Sequence, residues 1–322
     1  MEIENKILEK FYRNKGVHLS GEDIAKSLGV SRQAFWKHVE KLRRMGYAIE
    51  AVPHQGYRLA ESPDAMIEPE IKRNLRSKVF GKNIVCHKII GSTNDAAYSL
   101  AEKGAAEGTV VVAESQEKGK GRMGREWVSP AGGGVYASCV IRPEILAAEV
   151  SRITLVAALS LVKTIRAFTG LNAFLKWPND VLINEKKVAG LLTELKAEVD
   201  KASFVILGIG VNVNTDTRDL PEGATSLRGE LGKAVRRVEF FSRLLEALEK
   251  EYNIFKKKGF KDIRKELKTH SCTLGHYVKL ATSKKAAFHG QAVDIDENGA
   301  LVLRMPDGEE RKFFSGDVSL VR

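Results

Sequence analysis

Between about residues 66 and 270 the chain alternates short apolar runs with longer amphipathic stretches, and this rhythm limits its possible folds more than any other feature. The runs NIVCHKI, GTVVVAE, VYASCVI, AFLKWP, DVLINE, AGLLTELKA and FVILGIGVNVN have the length and β-branched content of strands. Thr93–Lys103, Ser151–Phe168 and Val238–Lys257 carry helical spacing instead. This pattern predicts a mixed α/β domain. Several strands are separated by hairpin-length connections, so the sheet is expected to be mostly antiparallel or mixed.

The two ends read differently. Ile3, Ile7, Leu8 and Phe11 recur at helical spacing. Ser20 is a candidate N-cap for a helix to about Leu28, and Ser31 for another to about Met45, which Gly46 ends. Two short helices joined by a Gly-containing turn form a helix-turn-helix, here spanning Gly21 to Glu40. Its second helix would present Ser31, Arg32, Gln33, Trp36 and Lys37 to base edges and phosphates. YAIEAVPHQGYRLA then supplies two strands around a turn at Pro53–Gly56, the wing of a winged helix. Packing alone is the competing reading of such a helical hairpin. ESPDA, at 61–65, has linker composition. After residue 270, five short strand candidates with turns at Asn298–Gly299 and Asp307–Gly308 predict a small SH3-like β-barrel. KKKGFKDIRKELK, just before it, is expected to be one basic amphipathic helix with a solvated face. The expected fold class is therefore α+β. Domains are expected at 1–62, 63–270 and 271–322, which suits a chain of 322 residues.

The formal net charge of +11 favours nucleic acid, phosphorylated ligands or an acidic protein without choosing among them. Cys86, Cys139 and Cys272 are too scattered for a metal site or a disulfide framework, and no protein-derived metal centre is expected. No apolar run approaches the ~20 residues of a membrane span, and the N-terminus lacks the continuous apolar stretch of a signal peptide. A cytoplasmic protein without membrane contact is expected.

Chemistry concentrates in four stretches. In ESQEKGKGRMGREWVSPAGGGVYAS, Gly119, Gly121 and Gly124 alternate with Lys120, Arg122 and Arg125. Glycine lets backbone N–H groups approach an anion, and the interleaved cations neutralise phosphate charge. The loop lacks the Walker spacing, and no helix-forming run follows as a dinucleotide fingerprint would require. The second stretch, Lys176-Trp177-Pro178-Asn179-Asp180, places a cation, an aromatic and two polar acceptors before a strand, with Lys186 and Lys187 on the next hairpin. Taken alone, that lysine pair reads as a solubilising turn. Gly91-Ser92-Thr93-Asn94 opens a helix with the usual N-cap residues. GIGVNVN, at 208–214, ends a buried strand in small and amide residues able to line a pocket.

Taken together and in this order, GSTN (91–94), GKGRMGREW (119–127), KWPND (176–180), KVAG (187–190) and GIGVNVN (208–214) resemble biotin–protein ligase, that is, biotin–acetyl-CoA-carboxylase ligase. The flanking helix-turn-helix and β-domain resemble the long, bifunctional class that also represses biotin operons. The resemblance implies a central domain of the biotin/lipoate ligase type, with ATP and biotin as substrates and Mg²⁺ as metal. It implies a biotin carboxyl carrier protein of acetyl-CoA carboxylase as acceptor, and operator DNA of biotin synthesis genes and a homodimer formed on adenylate binding as further partners. It further implies Lys187, Arg122 and Asp180 as catalytic residues. Ser92, Thr93, Asn94, Gln116, Lys120, Gly121, Arg122, Lys187 and Gly190 would contact biotin. Arg122, Arg125, Trp127, Lys176, Asn179 and Asn212 would contact the nucleotide. The family loop usually reads GRGRxGR; Lys120 stands at its first arginine and keeps the charge without the planar fork. Competing readings are a biotin-sensing regulator without catalysis, a ligase whose helix-turn-helix no longer binds DNA, and a lipoate–protein ligase.

Overall fold

A computed structural model describes residues 2–198, 201–282 and 286–321. The chain divides into two compact units, Met1–Ala65 and Met66–Arg322.

In the first unit, helices α1 (Glu2–Arg13), α2 (Gly21–Ser27) and α3 (Arg32–Arg44) precede strands β1 (Ala48–Val52) and β2 (Gly56–Glu61), which pair antiparallel. Ser20 and Ser31 cap α2 and α3 as expected, accepting from the backbone N–H of Asp23 (3.3 Å) and Ala34 (3.1 Å). The apolar stripes of the three helices meet in a core of Ile7, Leu8, Phe11, Ile24, Phe35, Val39 and Leu42. The Tyr57 ring of the wing packs edge-on against Phe35, with centroids 5.1 Å apart.

The second unit opens with α4 (Glu68–Asn74), β3 (Ile84–Ile90), α5 (Thr93–Glu102), β4 (Val110–Gln116) and β5 (Gly134–Ile141). α6 (Val150–Thr169), β6 (Ala173–Lys176), β7 (Asp180–Ile183), β8 (Lys186–Glu198) and β9 (Lys201–Asn212) follow. Then come α7 (Leu227–Leu231), α8 (Arg237–Lys258) and α9 (Lys261–Thr269). The strands form one seven-stranded sheet, ordered β3-β4-β5-β9-β8-β7-β6. Only β3 and β4 run parallel, because α5 crosses between them; the other pairs are antiparallel. Alternation then sorts the side chains of β9. Val205, Leu207, Ile209 and Val211 join the main core with α6 and α8. Phe204 and Ile206 pack beneath α5 on the other face. Next on that face, Gly208 lies against Asn94 at the start of α5, and Gly210 and Asn212 run beyond the helix, where the sheet is left open.

Five further strands, β10 (Tyr277–Ala281), β11 (Ala287–Ile295), β12 (Leu301–Arg304), β13 (Glu310–Phe313) and β14 (Asp317–Leu320), form an antiparallel sheet ordered β13-β12-β11-β10-β14. Both expected turns are present, with φ of +79° at Gly299 and +87° at Gly308. The inner residues Val278, Leu280, Leu301, Leu303 and Val318 belong to the same apolar core as the large sheet. Trp177 ties the two sheets: its Nε1 donates to the Gly299 carbonyl at 3.0 Å, and its backbone N–H to Thr273 Oγ1 at 3.0 Å.

Two local expectations need correction. KKKGFKDIRKELK is not one helix: Gly259, at φ +76°, ends α8 and α9 starts afresh at Lys261. Nor is its face wholly solvated, since Ile263 and Leu267 are buried and Arg264 and Lys268 both engage Asp294. Ser92 occupies the N-cap of α5, but its side chain makes no capping hydrogen bond. Gln116 does that work from β4, accepting from the Thr93 backbone N–H at 2.8 Å.

Candidate active site

The open part of the sheet floors a cavity of about 400 Å³. Its walls come from the start of α5, the end of β4, the Gly-rich loop, the β6–β7 turn, the first residues of β8, the last of β9 and the loop at 220–224. Ser92, Thr93, Asn94, Gln116, Lys120, Gly121, Arg122, Arg125, Trp127, Lys176, Asn179, Asp180, Lys187, Gly190 and Asn212 all line it. The residues singled out for the central domain thus converge on one cleft, although they are scattered between positions 92 and 212.

A chain of hydrogen bonds joins α5 to the sheet at one end of the cavity. Glu194 accepts from Asn94 Nδ2 (2.6 Å), and Ser138 Oγ lies 2.6 Å from Asn94 Oδ1 and 2.8 Å from Thr93 Oγ1. Thr93 Oγ1 in turn donates to Gln116 Oε1 (3.0 Å), Gln116 Nε2 donates to Ser129 (2.9 Å), and Ser129 to the Trp127 carbonyl (3.0 Å). Ser138 is fully buried, so its hydroxyl is committed to orienting the other two. The polar end of the cavity is therefore pre-organised and joined to the far end of the Gly-rich loop.

The indole of Trp127 lies on two glycines. Gly190 and Gly210 face each other across β8 and β9. A Cβ at Gly210 would come within 2.5 Å of the ring, and one at Gly190 within 3.2 Å. Any other residue type at 210 would displace the indole. Its Nε1 is buried without a hydrogen-bond partner among the described residues. Lys187 reaches over the ring, with Nζ 5.4 Å from the centroid, and pairs with Asp180 at 2.6 Å. Cation, carboxylate and aromatic face therefore meet at one point of the cleft.

Carboxylates hold the loop cations. Lys120 binds Asp95 on α5, and this hydrogen bond raises the Lys120 pKa. Arg122 Nη1 donates to Asn179 Oδ1 (2.9 Å) and the Gly316 carbonyl (3.2 Å), with Asp317 3.7 Å away. Burial lowers its pKa, and Asp317 and Asp180 oppose that effect. Arg125 donates to Asp317 at 2.7 Å. Arg122–Gly124 closes a single 3-10 turn, with Met123 at φ +56° and Gly124 at φ +73°. No longer helix follows, as the sequence predicted.

Several contributors went unnoticed in the sequence. Ser138 and Ser129 sit among other small residues, and Asp317 lies in another sheet, far along the chain. The wall at 220–224 belongs to none of the motifs; it is pinned to β8 by Lys187 N–H, which donates to the Gly223 carbonyl at 2.8 Å. In the first unit, Ser31, Arg32, Gln33, Trp36 and Lys37 are all exposed, on the side of α3 opposite buried Phe35, Val39 and Leu42. Among the described residues, no cluster of three or more His, Cys, Asp or Glu is arranged to hold a metal ion, and no helix is long and apolar enough to cross a membrane.

Comparison with known proteins agrees with this geometry. Residues 87–212 match the biotin/lipoate A/B protein ligase family, residues 4–58 an HTH domain, and residues 273–321 the biotin protein ligase C terminal domain. The chain is 38% identical to the bifunctional ligase/repressor BirA of Bacillus subtilis strain 168, over 99% of this chain and 98% of that protein. It is 30% identical to the bifunctional ligase/repressor BirA of Escherichia coli K12, over 94% and 92%. Among solved structures, the biotin protein ligase from Aquifex aeolicus in complex with biotin and ATP superposes with a TM-score of 0.64 at 34% identity, covering 75% of this chain and 99% of that one. With its cleft, its C-terminal sheet and its N-terminal winged helix, the chain belongs to the biotin/lipoate A/B protein ligase family, in the form that joins a ligase to a helix-turn-helix repressor domain.

Proposed function

We propose that the protein joins biotin to a lysine of the biotin carboxyl carrier protein of acetyl-CoA carboxylase, at the expense of ATP, and that its N-terminal unit represses biotin synthesis genes. The observation that carries this reading is the convergence of five separated motifs on one cleft beside a cation-rich loop. The ligase bound to biotin and ATP that superposes on this chain supports it.

A carboxylate is a poor acyl donor to an amine. The biotin carboxylate first attacks the α-phosphate of ATP; the new O–P bond forms as the bond to pyrophosphate breaks. Ser92, Thr93, Asn94 and Gln116 orient the biotin ring system from the pre-organised end of the cleft. Lys187 stands where negative charge accumulates on the carboxylate and α-phosphate. Arg122 and Arg125 turn from Asp317 and Asn179 to the phosphate, and Trp127 offers its face to adenine, with Asn212 and Lys176 along the nucleotide side. Mg²⁺ would arrive with the ATP phosphates and offset their charge, since the described residues offer it no carboxylate cluster. In the second step the acceptor amine, guided by Asp180, attacks the acyl carbon of biotinyl-AMP and AMP leaves.

Incubation with labelled biotin, ATP, Mg²⁺ and a biotin carboxyl carrier domain tests the enzyme. Labelled carrier is expected, and its absence with every substrate saturating would refute the ligase reading. A gel shift on the organism's biotin promoter tests the repressor.

A further inference from the structure

Behind the Arg122–Asn179 hydrogen bond lies a second, smaller chamber of about 120 Å³. Arg122, Asn179, Leu191 and Leu192 line both it and the main cleft, so the two cavities share a wall. Leu155, Trp177, Pro178 and Phe314 supply its apolar lining, Phe314 from the bend after β13, while the hydroxyls of Thr154 and Thr193 in the same wall bond to each other. Phe314 is 56% exposed. The Ser151 hydroxyl, also in the lining, is buried and has no hydrogen-bond partner among the described residues.

The proposed second step sets a geometric problem. Biotin and AMP, joined as the adenylate, occupy the main cleft, yet an amine must reach the acyl carbon between them. It needs a separate approach. An apolar channel with polar groups at its inner end suits a lysine, whose methylene stem prefers apolar surface while its tip seeks polar partners. The chamber has that character, and its inner wall is the Arg122–Asn179 pair, next in sequence to Asp180. An exposed aromatic offers the surface around the lysine a foothold.

We propose that this chamber admits the acceptor lysine, an inference that rests on the ligase reaction above. The stem of the lysine lies along Leu155 and Trp177, and its nitrogen passes the Arg122–Asn179 wall. The ammonium gives up one proton to water. The neutral amine forms a bond to the acyl carbon, the bond from that carbon to the bridging phosphate oxygen breaks, and AMP leaves with that electron pair. The nitrogen then loses a second proton to water, and the amide results.

Ser151→Phe and Phe314→Ala test the route, because both positions line the chamber and neither lines the main cleft. Three rates are read on the full chain: biotin-dependent pyrophosphate release, biotin transfer to a carrier domain, and consumption of the adenylate by hydroxylamine. Ser151→Phe is expected to release pyrophosphate and react with hydroxylamine at the unaltered rates, while kcat/KM for the carrier falls at least ten-fold. Phe314→Ala is expected to raise KM for the carrier several-fold at nearly unchanged kcat. Undiminished transfer by Ser151→Phe, or equal losses toward carrier and hydroxylamine, overturns the proposal. If Ser151→Phe also loses pyrophosphate release, Phe314→Ala decides, and an unchanged KM for the carrier overturns it. Absence of biotin-dependent pyrophosphate release in the unaltered protein would instead sink the ligase reading itself.

Discussion

Lys187 shows how context assigns a role to a residue. In sequence it is half of a lysine pair in a turn, a position that usually serves solubility. In the fold its ammonium lies between Asp180 and the Trp127 ring, inside the cleft. Its removal deletes the main positive charge at the proposed reaction centre. Lys187→Ala is expected to slow biotin-dependent pyrophosphate release by at least about 100-fold, the usual scale for one electrostatic group at a transition state. The side chain is one-third exposed, so the urea midpoint should scarcely move. Gly210 makes the opposite point. Its motif was legible as a run of small residues, but the reason for glycine was not, because the indole it seats comes from Trp127, on a distant loop. Gly210→Ala is expected to raise KM for ATP by roughly ten-fold, about 1.4 kcal/mol, and KM for biotin by much less. Equal increases for the two substrates would disconnect Trp127 from the nucleotide.

Among the elements, α3 is the most legible, since Ser31 and Gly46 bracket it in the sequence and the buried stripe follows from spacing alone. Its exposed face carries the proposed DNA contacts. Lys37→Ala should weaken binding to all DNA sequences alike and lower the salt dependence by about one counterion. Trp36→Ala should instead erode discrimination between operator and unrelated DNA; a uniform loss would place Trp36 with the phosphate contacts. α1 carries a pH dependence of its own. Burial alone would raise the Glu4 carboxyl, but hydrogen bonds from Lys41 and His38 hold it well below the usual carboxylate range. A carboxyl depressed in the fold stabilises it fully above its unfolded pKa, near ~4.3, and loses that contribution as pH falls further. Hydrogen-exchange protection in α1 of the full chain, taken relative to the intrinsic rate at each pH, should therefore fall below about pH 4.3, and Glu4→Gln should flatten this response. The division of the basic segment into α8 and α9 was not legible. Its periodicity continues through Gly259, and only the positive φ there separates the two helices.

For the whole molecule, the charge of +11 would be easy to credit to DNA binding, yet most of the excess lies beyond residue 65, outside the winged helix. Regulation must therefore rest on geometry more than on net charge. We propose that the adenylate reorders the Gly-rich loop and favours a homodimer, whose paired α3 helices match a palindromic operator. Sedimentation and operator titration should both shift when biotin and ATP are added together, and equal operator affinity with and without them would refute the coupling. Local spacing, caps and turns were enough to reveal the winged helix, the strand-rich central domain, the five C-terminal strands and the motifs of the cleft. Which groups hold those motifs in place came from folding in three dimensions. Ser138 beneath Asn94, the glycine seat of Trp127 and the grip of Asp317 on Arg122 and Arg125 join residues distant along the chain. No local period records such partners; the first two meet when α5 and the Gly-rich loop pack on the large sheet, and Asp317 arrives when the second sheet joins the shared core.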